Sequence, residues 1–99
     1  MKALIFVEYP EMSVVKDALQ RQFVDFEIIV LKPSENTLYS EANTLVKIVS
    51  DNEGVPVFVF ISQPLFLAIV SAKLSRILKT FQVLSWERES QRFRVLKVP

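Results

Sequence analysis

Residues 55–79, VPVFVFISQPLFLAIVSAKLSRILK, decide the fold of this chain. The run 57–61 has no polar side, and a strand that is apolar on both faces must be covered on both faces. That pattern is typical of a central strand in a parallel sheet. Pro64 follows the polar residues Ser62 and Gln63, and it suits the first turn of a helix, where a missing N–H costs nothing. The stretch therefore predicts a buried strand, a tight turn and a largely apolar helix.

Similar units lie before this stretch, and a different one follows it. Residues 3–7 and 26–31 are strand-like runs, and each precedes a segment with apolar side chains at helical spacing. The second of these helices is expected from about Glu41, with Ser40 as its cap. Gly54 is the expected left-handed residue past the end of that helix. After the opening stretch, the runs 81–87 and 92–98 are too close together for a crossover helix, so they predict a hairpin.

The predicted order is βαβαβαββ in a single domain, residues 1–99. Right-handed crossovers then give a three-layer, doubly wound (Rossmann-like) α/β fold with a mostly parallel sheet, in a strand order near 2-1-3-4-5. The hairpin adds an antiparallel edge strand, where Arg92, Arg94 and Lys97 would discourage aggregation. A ferredoxin-like α+β layout is the main alternative, and three successive strand–helix units disfavour it.

The composition excludes several kinds of chemistry. The chain has no cysteine and no histidine, which excludes disulfides, thiolate metal sites and Ser-His-Asp catalysis. One glycine is too few for a GxGxxG or Walker-type phosphate loop. A net charge of +1 attracts neither duplex nucleic acid nor anionic lipid. Pro56 and the break at 62–64 argue against a membrane span. We expect a cytoplasmic protein without metal or cofactor.

Two polar loops are expected to meet at one edge of the sheet. In the doubly wound layout the first and third strands flank the switch point, where open α/β sheets bind ligands. The loops that follow them, 8–13 and 62–64, would present helix N-termini to phosphate or carboxylate oxygens, and Tyr9 would stack on a base. Ser62 and Gln63 would contact a nucleobase edge or a ribose. The alternative is that Ser62 is an N-cap and Tyr9 an ordinary surface ring.

Two other charged groups each have a plainer interpretation. Glu8 and Glu11 would serve as an acid/base or metal pair in a metal-dependent hydrolase. Two carboxylates without a third ligand specify little, and solvated charges explain them equally well. Lys73, Arg76 and Lys79 lie along one helix face and would contact a phosphate backbone. Basic residues near a helix C-terminus are also expected from the helix dipole alone.

The hairpin contributes a further candidate. Trp86 would stack on a ligand, anchor a subunit contact or belong to the core. Arg88 is the best candidate for a cation that reaches over the crevice or across a dimer, or else it is a turn charge. The predicted ligand-binding residues are therefore Tyr9, Ser13, Ser62, Gln63 and Arg88.

The helix after Pro64 is more apolar than one sheet face requires. A helix that covers a sheet needs a single apolar side, so the surplus predicts a homodimer. The residues expected at that interface are Leu65, Phe66, Ile69 and Val70. The alternative is an interaction protein, an adaptor or inhibitor, which docks on another protein through this helix and the edge strand.

Three segments carry a resemblance of layout: the polar loop 8–13, the unit VFVFISQPLFLAIV and the hairpin FQVLSWERESQRFRVLKV. Together they resemble the CARF domains of CRISPR type III defence, which bind cyclic oligoadenylates, and the ring nucleases that degrade them. That family often has glycine or threonine before the apolar helix, where this chain has Ser62, Gln63 and Pro64. Some ring nucleases use histidine, which this chain lacks.

The resemblance implies a nucleotide-type ligand and a symmetric assembly. A cyclic oligoadenylate would bind across the two-fold axis of a homodimer, with the protein as sensor, sponge or weak, metal-independent ring nuclease. Cleavage would place a ribose 2′-hydroxyl in line with the phosphate, and Arg88 or Lys73 would stabilise the charge that develops.

Overall fold

The computed structural model describes residues 2–9 and 13–98, in which strands and helices alternate as predicted. The sheet has the order β2-β1-β3-β4-β5. Strands β1 to β4 are parallel, and β5 is antiparallel to β4. The doubly wound α/β fold with an antiparallel edge strand is thus confirmed. The elements are β1 (Ala3–Glu8), α1 (Ser13–Gln22), β2 (Phe26–Leu31), α2 (Leu38–Asp51), β3 (Val57–Phe60), α3 (Pro64–Ile77), β4 (Phe81–Glu87) and β5 (Arg92–Val98).

Strand β1 divides the core into two halves. Its side chains alternate, so Leu4 and Phe6 pack with α2 and α3, while Ile5 and Val7 pack with α1. All four side chains are buried. β1 is therefore covered on both faces. The middle strand β3, for which this covering is predicted, likewise packs Val57 and Val59 into one half and Phe58 and Phe60 against the other.

The face covered by α1 is rich in aromatic rings. Within the described residues α1 is the one helix on this side, and it has 10 residues, so part of the face is closed by ring-to-ring contacts. Phe93 meets Phe60 and Trp86 edge to face, with ring centroids 5.0 Å apart in both pairs. Phe23 meets Phe58 in the same geometry at 4.9 Å. Trp86 is thus a half-buried member of this aromatic cluster.

The ends of two helices confirm what the turn chemistry predicts. Gly54 has a φ of +83° just past the end of α2, in the left-handed region that glycine enters without strain. Pro64 is the first residue of α3. The hairpin turn occupies residues 88–91, between β4 and β5.

Helix α2 begins earlier than the sequence indicates. It starts at Leu38 with Thr37 as its N-cap, so Ser40 lies inside the helix and the predicted cap is wrong. The turn before it explains the difference. The Thr37 N–H donates to the Ser34 carbonyl at 3.0 Å, and the hydroxyls of the same two residues lie 2.8 Å apart. This turn brings the chain into the helix before Ser40 is reached.

The packing of α3 corrects the predicted dimer surface. Phe66 and Val70 are fully buried in the core of the monomer, so these two residues cannot form a subunit interface. Ile69 is half-buried against the same core, and Leu65 remains 59% exposed. The physical reason is helical spacing, because Phe66, Val70 and Leu74 follow one another at intervals of four and so form the side of α3 that packs into the core with the sheet and α2. Among the described residues, no helix combines the length and apolarity that a membrane crossing requires.

Candidate functional site

The carboxyl edge of the sheet gathers three polar segments. Because β1, β3 and β4 are parallel, they all end at this edge. β1 and β3 are direct neighbours, so Glu8 at the end of β1 lies beside residues 61–63, which follow β3. The hairpin after Glu87 begins at the same edge. The predicted switch-point geometry is thus present in the fold.

The Glu8 carboxylate occupies the start of α3. Its Oε2 accepts a hydrogen bond from the Ser62 hydroxyl at 3.0 Å, and its Oε1 accepts one from the Gln63 backbone N–H at 3.2 Å. Gln63, rather than Ser62, is the N-cap residue of α3. A negative charge is stabilised at this position by the helix dipole. Both donors are therefore engaged by the protein's own carboxylate, and an anionic ligand would have to displace Glu8 to reach them.

Tyr9 and Lys32 form a second, open group at the same edge. The Tyr9 ring is 56% exposed, and the Lys32 Nζ lies 4.7 Å from the centroid of that ring. The backbone supports this pair, because the Tyr9 N–H donates to the Leu31 carbonyl at 2.7 Å. The Lys32 N–H donates to Oε1 of Glu41 at 2.6 Å. An aromatic ring and an ammonium group thus face solvent together, in cation–π contact.

Sequence reasoning missed Lys32, which looked like the end of a strand. The signal that would have found it is strand register. Glu8 pairs with Leu31 across β1 and β2, so the next residue on each strand, Tyr9 and Lys32, also come together. Register of this kind is set by the sheet and not by either segment alone.

The loop between β1 and α1 is described only at Tyr9. Ser13 is the exposed first residue of that helix. Glu11 lies outside the described residues, so the predicted pair of Glu8 with Glu11 does too. Within residues 2–9 and 13–98 there is no group of three or more Asp and Glu side chains placed to hold a metal ion.

Arg88 lies in the hairpin turn after β4, on the other side of β3 from Tyr9 and Lys32. It is exposed there and lines an open groove of about 750 Å³ beside β5. The other residues that line this groove are Gln22, Glu87, Glu89, Ser90, Arg92, Phe93, Arg94 and Val95. Arg94 also forms an ion pair with Glu87 at 3.3 Å. The structure shows Arg88 in this groove, and its predicted contact with a ligand or across a dimer stays a prediction.

Lys73 is on a different surface again. It lies nine residues into α3, about 14 Å along the helix axis from Pro64, and so toward the opposite edge of the sheet. There it lines a groove of about 320 Å³ with Arg76. The structure does not bring Lys73 to the carboxyl edge with the other predicted site residues.

The carboxyl edge thus has two parts with different chemistry. The group of Glu8, Ser62 and Gln63 is closed on itself by hydrogen bonds, whereas Tyr9 and Lys32 are open to a ligand. A tyrosine ring with a cation over one face can stack a planar base on its other face, and the cation can neutralise a phosphate. Comparison of the chain with known protein families, curated proteins and solved structures finds no match.

Proposed function

We propose that this protein binds a nucleotide-like ligand of the cyclic oligoadenylate class at the carboxyl edge of its sheet, as a cytoplasmic homodimer that acts as a sensor or sponge. The Tyr9–Lys32 pair carries the proposal. Its exposed ring and adjacent ammonium, 4.7 Å from the ring centroid, match the two parts of a nucleotide. Bases stack on aromatic rings, and phosphates pair with lysine.

The position of Glu8 favours this part of the edge over the start of α3. Its carboxylate holds the Ser62 hydroxyl and the Gln63 N–H, and its charge repels phosphate from those donors. A phosphate is therefore directed toward Lys32. Ser13, the exposed first residue of α1, is a further predicted ligand residue, and no described group engages its hydroxyl. Ser62 and Gln63 then contribute by holding Glu8.

The arrangement favours binding over rapid cleavage. The sequence has no histidine and no cysteine to act as base or nucleophile. Arg88 lies beside β5 and Lys73 lies far along α3, so neither cation is next to the Tyr9–Lys32 pair. Any ring-nuclease activity would rest on alignment of a ribose 2′-hydroxyl alone. The resemblance of layout to CARF domains supports a cyclic oligoadenylate among nucleotide ligands, and with it a role in CRISPR type III defence.

Isothermal titration with cyclic tetra-adenylate and cyclic hexa-adenylate tests the proposal. We expect binding at micromolar concentration or below for one of the rings, and weaker binding of the linear oligoadenylate of equal length. Tyr9→Ala and Lys32→Ala should each weaken affinity at least about tenfold, the loss of one stacked base or one charge contact. Lys32→Ala should also reduce the salt dependence, with a slope of log K against log salt smaller by about 0.7.

Lys47→Ala is the matched control, because Lys47 is an exposed lysine of α2 and faces no predicted site residue. Its affinity should equal that of the wild type. Circular dichroism melts establish that Tyr9→Ala and Lys32→Ala are folded before their affinities are compared. Absence of heat from the wild type with both rings at micromolar concentration would overturn the proposal.

An interaction protein is the second candidate, and the edge strand favours it. Val95 and Leu96 are large apolar side chains of β5 that are 45% and 47% exposed. Exposed backbone and apolar side chains at a sheet edge are the features to which an extended partner segment adds. A chain that stays monomeric and binds neither adenylate ring would favour this candidate over the first.

A further inference from the structure

The outer side of β5 is covered at one residue. The Phe93 N–H donates to Oε1 of Gln22 at 2.6 Å, and Nε2 of Gln22 donates to the Phe93 carbonyl at 3.0 Å. A backbone N–H has a single hydrogen, so this donor points away from β4 and toward the open edge of the sheet. The Gln22 side chain therefore takes the place that a neighbouring strand would take.

No other described group bonds to the rest of that edge. In an antiparallel ladder, successive residues point their backbone groups alternately toward and away from the neighbour. Val95 and Lys97 thus point outward as Phe93 does. Within residues 2–9 and 13–98, no side chain bonds to the backbone of Val95 or Lys97. Unpaired edge groups beside exposed apolar side chains are a template for another strand.

We infer that this edge pairs with β5 of a second copy, antiparallel about a two-fold axis at Leu96. The five-stranded sheets of the two copies then become one continuous sheet. In this register Val95 lies opposite Lys97 of the second copy, and Leu96 lies opposite Leu96 of the second copy. The pairing forms about four backbone hydrogen bonds. It also covers the exposed Leu96 side chain with its own symmetry mate.

Specific contacts exclude the two neighbouring registers of the pairing between the β5 strands. If Val95 lay opposite itself, Lys97 would have to bond to Phe93, whose backbone groups Gln22 already holds. If Lys97 lay opposite itself, two ammonium groups would form a directly opposed pair, which is destabilising. The register about Leu96 has neither conflict, and it sets Arg94 opposite the uncharged Val98.

The β5 and α3 surfaces both carry basic residues, but the register about Leu96 sets Arg94 and Lys97 of β5 opposite the uncharged Val98 and Val95. The outer groove of α3 is lined by Lys73 and Arg76, which repel the same residues of a second copy. Of the apolar residues expected on that helix surface, Leu65 alone is largely exposed. A short edge pairing buries far less than the ~1,600 Å² of a standard interface. The dimer is therefore weak and forms as concentration rises.

Sedimentation velocity, from micromolar to millimolar concentration, tests this inference, which deepens the homodimer part of the proposed function. We expect the mass to rise from one chain to two. Val95→Pro removes an outward N–H at an edge position where proline is tolerated, and should weaken dimerisation at least tenfold. Leu96→Arg places two arginines opposite each other on the two-fold axis of the dimer, and it should also weaken dimerisation at least tenfold. An equimolar mixture of Leu96→Arg and Leu96→Asp chains should regain the dimer.

Leu65→Arg on α3 is the matched control, and it should leave dimerisation unchanged. Amide hydrogen exchange gives a second readout. The amides of Val95 and Lys97 should become protected as concentration rises, while that of Arg94, which already faces β4, should not change. Dimerisation that survives both β5 substitutions, dimerisation that is lost with Leu65→Arg, or a monomer at every concentration would each overturn the inference.

Ligand binding is measured separately on the monomeric Val95→Pro chain. A dimer that binds neither adenylate ring would leave this inference standing and remove the proposed ligand. A chain that stays monomeric at every concentration but binds a ring would overturn this inference and leave the proposed ligand standing. The failures of the two proposals are therefore distinguishable.

Discussion

The Ser62 hydroxyl donates a 3.0 Å hydrogen bond to the carboxylate of Glu8 and so ties the end of β1 to the start of α3. The same carboxylate accepts the Gln63 N–H at 3.2 Å. The first backbone N–H groups of a helix have no partner within it, and an acidic side chain that accepts one also neutralises the positive end of the dipole. Two donors on the α3 side of the switch point are thus held by the protein's own acid.

Glu8→Gln should lower the free energy of unfolding by about 1 kcal/mol, because the amide keeps a single acceptor and loses the charge at the helix start. Urea denaturation measures the change. Glu53→Gln is the control, since Glu53 is exposed in the turn after α2, and it should have no effect. Equal stability of the two variants would show that the contact with Ser62 and Gln63 contributes nothing.

Gln22→Ala should lower the free energy of unfolding by about 1–2 kcal/mol, because it removes two hydrogen bonds and leaves the Phe93 backbone unpaired in a half-buried place. It also lengthens the open edge of β5, so self-association should increase. Amide exchange at Phe93 and sedimentation measure the two effects. Gln20→Ala, an exposed change in the same helix, should alter neither. Unchanged exchange at Phe93 would contradict the role given to Gln22.

Phe66→Ala and Leu65→Ala should differ sharply although they are adjacent. The Phe66 side chain is fully buried, and its loss should lower the free energy of unfolding by about 3–5 kcal/mol. Leu65 is largely exposed, so its truncation should stay within about 0.5 kcal/mol. Thermal and urea unfolding compare them, with Phe66→Leu as a milder variant if Phe66→Ala does not fold. Similar losses at both positions would contradict the orientation of α3.

Gly54→Ala should lower the free energy of unfolding by about 1 kcal/mol through the backbone alone. The φ of Gly54 is +83°, and a Cβ added there meets no atom within 4 Å, so no clash contributes. Gly54→Asn should lower the free energy of unfolding by less than Gly54→Ala does, because asparagine enters the left-handed region more readily than alanine. If Gly54→Asn lowered the free energy of unfolding as much as Gly54→Ala, the left-handed conformation of Gly54 would not be the cause of the destabilisation.

The predicted layout succeeded where local pattern and fold agree. The apolar run of β3, the proline that starts α3 and the glycine that ends α2 each act over a few residues, and all three were read correctly. The dimer surface on α3 failed for Phe66 and Val70 because these residues belong, with Leu74, to the side of the helix that packs into the core. A helix that is apolar nearly all round does not reveal which side that is. Lys32 was missed because its pairing with Tyr9 depends on strand register.

The sequence by itself determined the order of the elements, the parallel sheet with its antiparallel last strand, and the absence of cysteine and histidine chemistry. Periodicity and turn chemistry are local, and crossover handedness then leaves few topologies. Only the tertiary structure decided which polar groups meet. Glu8 bonds to Ser62 across 54 residues of chain, and Gln22 bonds to Phe93 across 71. Such contacts depend on how distant elements pack, so no single segment encodes them.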